Sequence, residues 1–247
     1  TNQVKTLVFV LNGRLQNVPL SALYDGKQYL LEKYQVVLAP SLQLLAPQAT
    51  SRDKTKVLTA GLSQQVEVAG EIFPALNNVP QELNQIKAIF PQSHQLLNRE
   101  FTQANLKEQL QFDFSVIHLA THGLFSSDPS RTFIITGDHQ IIDIDTLGSI
   151  LKSSQTRPEL IVLSACDTAT GDERAILGLA GMAVRSQISS TIASLWSVSD
   201  DSTTKLMSQF YQRYQNSSTT KVSALRQAQL SLIDSLRANP PNSDLAD

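Results

Sequence analysis

One cysteine, Cys166, and one tryptophan, Trp196, are all that the 247 residues hold of those two types. A single thiol excludes an intrachain disulfide framework and fits a reducing compartment, so a cytoplasmic location is expected. Charge is sparse and balanced, with 20 Lys and Arg against 22 Asp and Glu and a net charge of −2. No basic block and no basic–aromatic interleaving is present, which argues against nucleic acid as a partner, because that binding runs on phosphate neutralisation. No apolar run approaches the roughly 18–20 residues that span a bilayer, and the N-terminus lacks a charged-then-apolar signal pattern. No membrane partner is expected. The strings GxSxG, GxGxxG and the P-loop are also missing, so serine hydrolase, dinucleotide and nucleotide readings lack support. The chain starts at Thr1 rather than Met and reads as a fragment of something longer.

What is present is organised around residues 158–171, PELIVLSACDTATG. Leu160 to Leu163 form a short unbroken apolar run behind a proline, the pattern of a strand buried on both faces of a parallel sheet. The run stops in small and polar residues, and Cys166 sits at that stop. Residues 114–120, FSVIHLA, have the same grammar and break at Thr121-His122-Gly123. Ligands of open α/β sheets bind beyond the carboxyl ends of the strands. If these two strands are parallel neighbours, His122 and Cys166 meet above one sheet edge.

The remaining chain alternates strand and helix. Residues 5–11, 34–39 and 56–61 read as strands, and residues 63–79 show no clean period and read as loop. Pro80 opens a helix in which Glu82 favours the N-terminal dipole. A brief strand at 95–97 follows, then a helix capped by Thr102. After the histidine strand, residues 125–132 are a polar loop, and 133–136 with 140–142 form a hairpin around Gly137-Asp138-His139. Asp143 or Asp145 caps a helix through Leu151. Beyond the cysteine strand, 173–186 are helical, 191–195 form another buried strand, and Leu206, Phe210 and Tyr214 mark an amphipathic helix. The last helix carries Val222, Leu225, Leu232 and Leu236 on one side, and 239–247 form a disordered tail. The βαβαβ rhythm indicates an α/β fold with a central, mostly parallel sheet in one domain.

A cysteine nucleophile needs a thiolate, a nearby base or acid, and donors for the oxyanion. Cys166 and His122 meet the first two needs. The backbone N–H groups of Gly123 and Cys166 meet the third, since glycine lets a backbone approach substrate closely. Free cysteines are also often small buried hydrophobes, and that reading stands beside the catalytic one. Asp167, Asp172 and Glu173 crowd the thiol with negative charge, which opposes a standing thiolate. His118 points into a covered face and reads as a hydrogen-bonded core histidine; His94 and His139 read as solvated. His118 and His122 do not make an HExxH zinc site, because a strand lacks the helix-face geometry and no glutamate follows His118. No metal or other cofactor is expected.

HLATHGLF and LIVLSACDTATGDERAILGLAGMAV resemble the CHAT domain, a caspase-like module usually attached to tetratricopeptide repeats in bacterial proteins and related to separase. The resemblance runs from about Leu7 to Leu232 and includes LNGRLQNVPLSALYDGKQYL, ASLWSVSDDSTTKLMSQFY and ALRQAQLSL. It implies a caspase-type α/β/α sandwich over residues 1–238 and a cysteine endopeptidase with His122 and Cys166 as its dyad. A protein or peptide is the implied substrate, and a repeat region an implied partner, in bacterial signalling. Residues 194–200, SLWSVSD, resemble the LWDVTD segment of separase, which implies a pocket for a basic P1 residue walled by Trp196 and charged by Asp200. Read without the resemblance, Asp200 is a helix N-cap and Trp196 a core residue. Two segments depart from the family pattern: RSQISSTIA stands where an AGA-type segment is usual, and the chain ends in NPPNSDLAD where a Trp-rich strand is usual. A non-catalytic scaffold that keeps the dyad is the alternative.

Overall fold

The computed structural model describes residues 4–11, 15, 18–39, 55–126, 128–164, 186, 188–194 and 198–239. Cys166, Trp196, the 173–186 helix (apart from Ser186) and the 240–247 tail of the sequence reading lie outside these residues.

Five parallel strands make the central sheet, in the order β12 (Thr191–Ala193), β11 (Leu160–Ser164), β7 (Val116–Ala120), β3 (Val57–Gly61), β6 (His94–Leu97). The three central strands are buried at every position. Continuous apolar sequence is therefore what their two covered faces require, and it made them legible. The expected strand at 191–195 is an edge strand and only half-buried.

Helices lie on both faces, giving an α/β/α sandwich of the caspase type. On one face α3 (Gln103–Gln109) and α4 (Ile144–Lys152) join a three-stranded antiparallel sheet, β8 (Gly123–Leu124), β9 (Phe133–Ile135) and β10 (Ile141–Asp143), around Leu58, Phe101, Leu106, Ile117, Ile134 and Ile161. The other face carries α2 (Val79–Ile89), α5 (Asp200–Tyr214) and, packed on α5, α6 (Lys221–Ala238). Caps follow the chemistry of the orphan N–H groups: Thr102 accepts from Asn105 and Asp143 from Thr146. Gly61 lets α2 sit close, because a Cβ there would lie 2.6 Å from Val79 Cγ1.

Several expectations are corrected. Residues 63–79 contain a hairpin, β4 (Val66–Val68) and β5 (Glu71–Phe73), turned by Ala69 and Gly70 at positive φ. The loop at 125–132 follows β8, and its Phe125, Ser126 and Thr132 are buried rather than solvated. Strands β1 (Thr6–Phe9) and β2 (Gln35–Leu38) pair in parallel with each other, outside the central sheet. Helix α6 buries Ala224 and Ala228 while Leu236 is 50 % exposed, because small residues are what permit its close approach to α5. The same helix reaches back to the N-terminal region, where Arg226 donates to the carbonyls of Leu31 and Glu32 in α1 (Leu30–Lys33) and Arg237 forks onto the Glu32 carboxylate. Asp200 is not its helix's N-cap; Ser199 is.

Candidate active site

The parallel register pairs Val162 with His118 and Ser164 with Ala120. Both strands end at that last pair, so positions 122 and 166 each lie two residues beyond the same rung. Past the rung the chain is held by Thr121, whose N–H donates to the Ser164 carbonyl at 3.3 Å and whose buried hydroxyl donates to the Ile135 carbonyl at 2.6 Å.

His122 is 3 % exposed. Its Nε2 lies 2.7 Å from the Pro74 carbonyl oxygen, and the Phe73 ring lies against it with centroids 5.4 Å apart. A carbonyl can only accept, so Nε2 carries the hydrogen and the neutral ring keeps its lone pair on Nδ1. The β4–β5 hairpin thus supplies a packing wall in Phe73, and the residue that follows it, Pro74, a tautomer-fixing acceptor.

Gly123 follows on β8, at the edge of the antiparallel sheet. Ile135 N–H donates to the His122 carbonyl at 2.9 Å, which makes 122 and 135 the bonded pair. The next pair, Gly123 with Ile134, is then the non-bonded kind, and the Gly123 N–H points away from β9. A side chain does not fit here: a Cβ would lie 2.8 Å from the Phe133 carbonyl oxygen.

Beneath the strand ends lies a buried polar cluster. Glu82 of α2, 1 % exposed, accepts from Ser164 Oγ at 2.6 Å and meets His118 Nε2 at 2.8 Å through Oε1; its Oε2 accepts from Thr204 Oγ1 at 3.1 Å. The other His118 nitrogen, Nδ1, is 3.1 Å from the Tyr211 hydroxyl. Burial pushes the Glu82 carboxyl up, but the hydrogen bond and charge of His118, helped by the Ser164 and Thr204 hydroxyls, outweigh it and hold the group below its usual range. Burial, and then the Glu82 charge, push the Tyr211 phenol well up. His118 is the hydrogen-bonded core histidine expected of it.

At the front of α5 the Asp200 Oδ2 accepts from the backbone N–H of Asn78, the residue that caps α2, at 2.8 Å. Its Oδ1 is buried with no hydrogen-bond partner among the described residues. His94 and His139 are exposed, as expected. Among the described residues no group of three His, Cys, Asp or Glu side chains could hold a metal ion, and no helix is long and apolar enough to cross a membrane.

The family model for the CHAT domain matches residues 1–245. This chain belongs to the CHAT domain family. No curated protein matches it. The CHAT domain is related to caspase-like cysteine peptidases, and in this one the structure brings His122, Gly123, Pro74 and the Glu82 cluster to the carboxyl end of the sheet. Pro74, Phe73, Ser164, Thr204 and Tyr211 were not singled out as site residues from the sequence. A backbone acceptor leaves no side-chain signature, and the small hydroxyls carry no periodic one.

Proposed function

We propose that this CHAT domain is a cysteine endopeptidase in which Cys166 is the nucleophile and His122 its acid–base partner. The observation that carries the reading is the contact of His122 Nε2 with Pro74, which leaves Nδ1 as the basic nitrogen. Cys166 gives its proton to Nδ1, and the sulfur attacks the peptide carbonyl carbon. The N–H groups of Gly123 and Cys166 hold the oxyanion. Collapse of the intermediate breaks the C–N bond as the imidazolium protonates the leaving amine, and water then hydrolyses the thioester. Substrates are proteins or peptides, met in the cytoplasm as part of bacterial signalling, with a repeat region as the recruiting partner.

The P1 preference is basic. The buried Oδ1 of Asp200, which has no hydrogen-bond partner among the described residues, supports it, because a carboxylate with one oxygen committed to a helix N-terminus still has the other for a guanidinium. Trp196 would cover the aliphatic stem. A second reading, a scaffold that keeps the dyad without turnover, is favoured by one observation: His122 is almost wholly covered.

Cys166→Ala and His122→Ala should each abolish cleavage of a peptide library while retaining the wild-type circular dichroism and unfolding transition. Chelators should leave cleavage unchanged and thiol alkylation should remove it. Cleavage retained by either variant overturns the dyad, and wild type inert toward all sequences favours the scaffold.

A further inference from the structure

Glu82 is a buried charge that the proposed chemistry does not use. Its carboxylate gathers three neighbouring elements onto α2: β11 through the hydrogen bond from Ser164, α5 through the hydrogen bond from Thr204, and β7 through the ion-pair contact with His118. Two of these connections lead straight to the dyad. Ser164 is the last residue of β11 and stands two residues before Cys166 in the chain. Helix α2 is entered from Pro74, whose carbonyl holds the His122 ring, and its cap residue Asn78 is pinned by Asp200. A hydrocarbon side chain at position 82 would pack but could not fix direction, and would leave the Ser164 and Thr204 hydroxyls without their acceptor. A carboxylate can accept from three directions at once.

We propose that Glu82 is a positioning residue: its hydrogen bond from Ser164 sets the height of the β11 end against α2, and with it the reactivity of Cys166, two residues further along the chain. For its effect on cleavage this rests on the peptidase reading above. For its effect on thiol reactivity it does not, since a histidine-paired thiol alkylates faster than an isolated one whatever the pair is used for.

The test is the rate of Cys166 alkylation by iodoacetamide in the full chain, measured beside cleavage. Glu82→Met, which fills the space without an acceptor, should react at least about 10-fold more slowly than wild type, in keeping with the cost of small misplacements of reacting groups. Ser164→Ala should show a comparable loss, and the double variant should fall no further than the slower single one, because both remove the same tie. Glu82→Gln keeps one oxygen for Ser164 and His118 and should recover to within about 3-fold of wild type. Leu106→Ala, on the opposite face of the sheet, should lose stability and keep the wild-type rate. Equal rates in wild type, Glu82→Met and Ser164→Ala overturn the proposal, as does a Leu106→Ala rate as slow as theirs. Should Glu82→Met fail to fold, Ser164→Ala and the Gln variant decide alone. Wild type that cleaves nothing while the reactivity pattern holds removes the peptidase reading and leaves the positioning role standing; cleavage without the pattern removes only the positioning role.

Discussion

Along β7 successive side chains enter two environments that share nothing but the sheet. Ile117 and Leu119 point into a layer formed by α3, α4 and the β8–β10 sheet, where Leu58, Phe101, Leu106, Ile134 and Ile161 enclose them in hydrocarbon. Val116, His118 and Ala120 point the other way, toward α2 and α5, and there the apolar packing is threaded by Glu82, Ser164, Thr204 and Tyr211. The neighbouring strands repeat the division: Leu58 and Ala60 face the dry layer, Val57 and Thr59 the polar one. The dry layer holds the fold together, and the polar layer holds the ends of two strands at fixed heights. A functional site needs the second property as much as the first.

The largest effects should come from one deep truncation on each face. Phe101→Ala, on the dry side, should cost about 3–5 kcal/mol at any pH from 4 to 9. His118→Ala should cost about as much near neutrality, because it leaves the Glu82 carboxylate buried without its imidazole partner. The two should part company in acid. A carboxyl held low in the folded state contributes stability that is complete above its unfolded value, 4.5, and is lost as pH falls through the folded one. The gap between wild type and His118→Ala should therefore narrow below that pH, while the gap to Phe101→Ala should not. Urea unfolding across the range measures both, and parallel pH curves for the two variants would break the comparison.

A smaller effect probes how closely the polar layer is seated. Gly61→Ala puts a methyl group 2.6 Å from Val79 Cγ1 and 2.9 Å from Leu83 Cδ1, which should cost about 1–3 kcal/mol as α2 is pushed outward. Cleavage per folded molecule should fall as well, since α2 brings Pro74 and Glu82 with it. A loss of stability with unchanged turnover would show that the seating of α2 does not matter to the site.

Much of this was legible in the sequence, and the reasons are specific. The unbroken runs at 116–120 and 160–164 identified the two central strands; that they are parallel neighbours was only a condition in the sequence, and the register from Ala120 to Ser164 meets it. Hairpin β9–β10 and the Thr102 cap were legible because turns and caps use local chemistry, and of the two candidates Asp143 and Asp145 the structure selects Asp143. Hairpin β4–β5 was not: where β9 and β10 are marked by the apolar runs Phe133-Ile134-Ile135 and Ile141-Ile142, the equally short β4 and β5 are broken up by Glu67 and Glu71. Glu82 was read for its place in the first turn of a helix, and a favourable dipole position is ordinarily a solvated one. What buries it is a serine 82 positions away and a histidine on another strand, and no local pattern encodes that. Asp200 shows the same limit: it starts a helix as read, but it binds the N-terminus of a different one.

The smallest effect on stability falls at Asp200. Asp200→Asn keeps an oxygen for the Asn78 N–H and should shift stability by less than about 0.5 kcal/mol. A P1-varied peptide library should nonetheless lose its preference for Arg and Lys in this variant. An unchanged basic preference, or an acidic or apolar one in wild type, removes Asp200 from the pocket.

The central claim is that a thiol and an imidazole carried by adjacent parallel strands act as one unit. Treating the chain with a peptide electrophile that bears arginine at P1, and locating the adduct by mass spectrometry, tests it most directly. The account predicts modification of Cys166 in wild type and a loss of at least about 100-fold in rate for His122→Ala, the scale on which a positioned acid–base group acts. Equal labelling with and without the imidazole would contradict it.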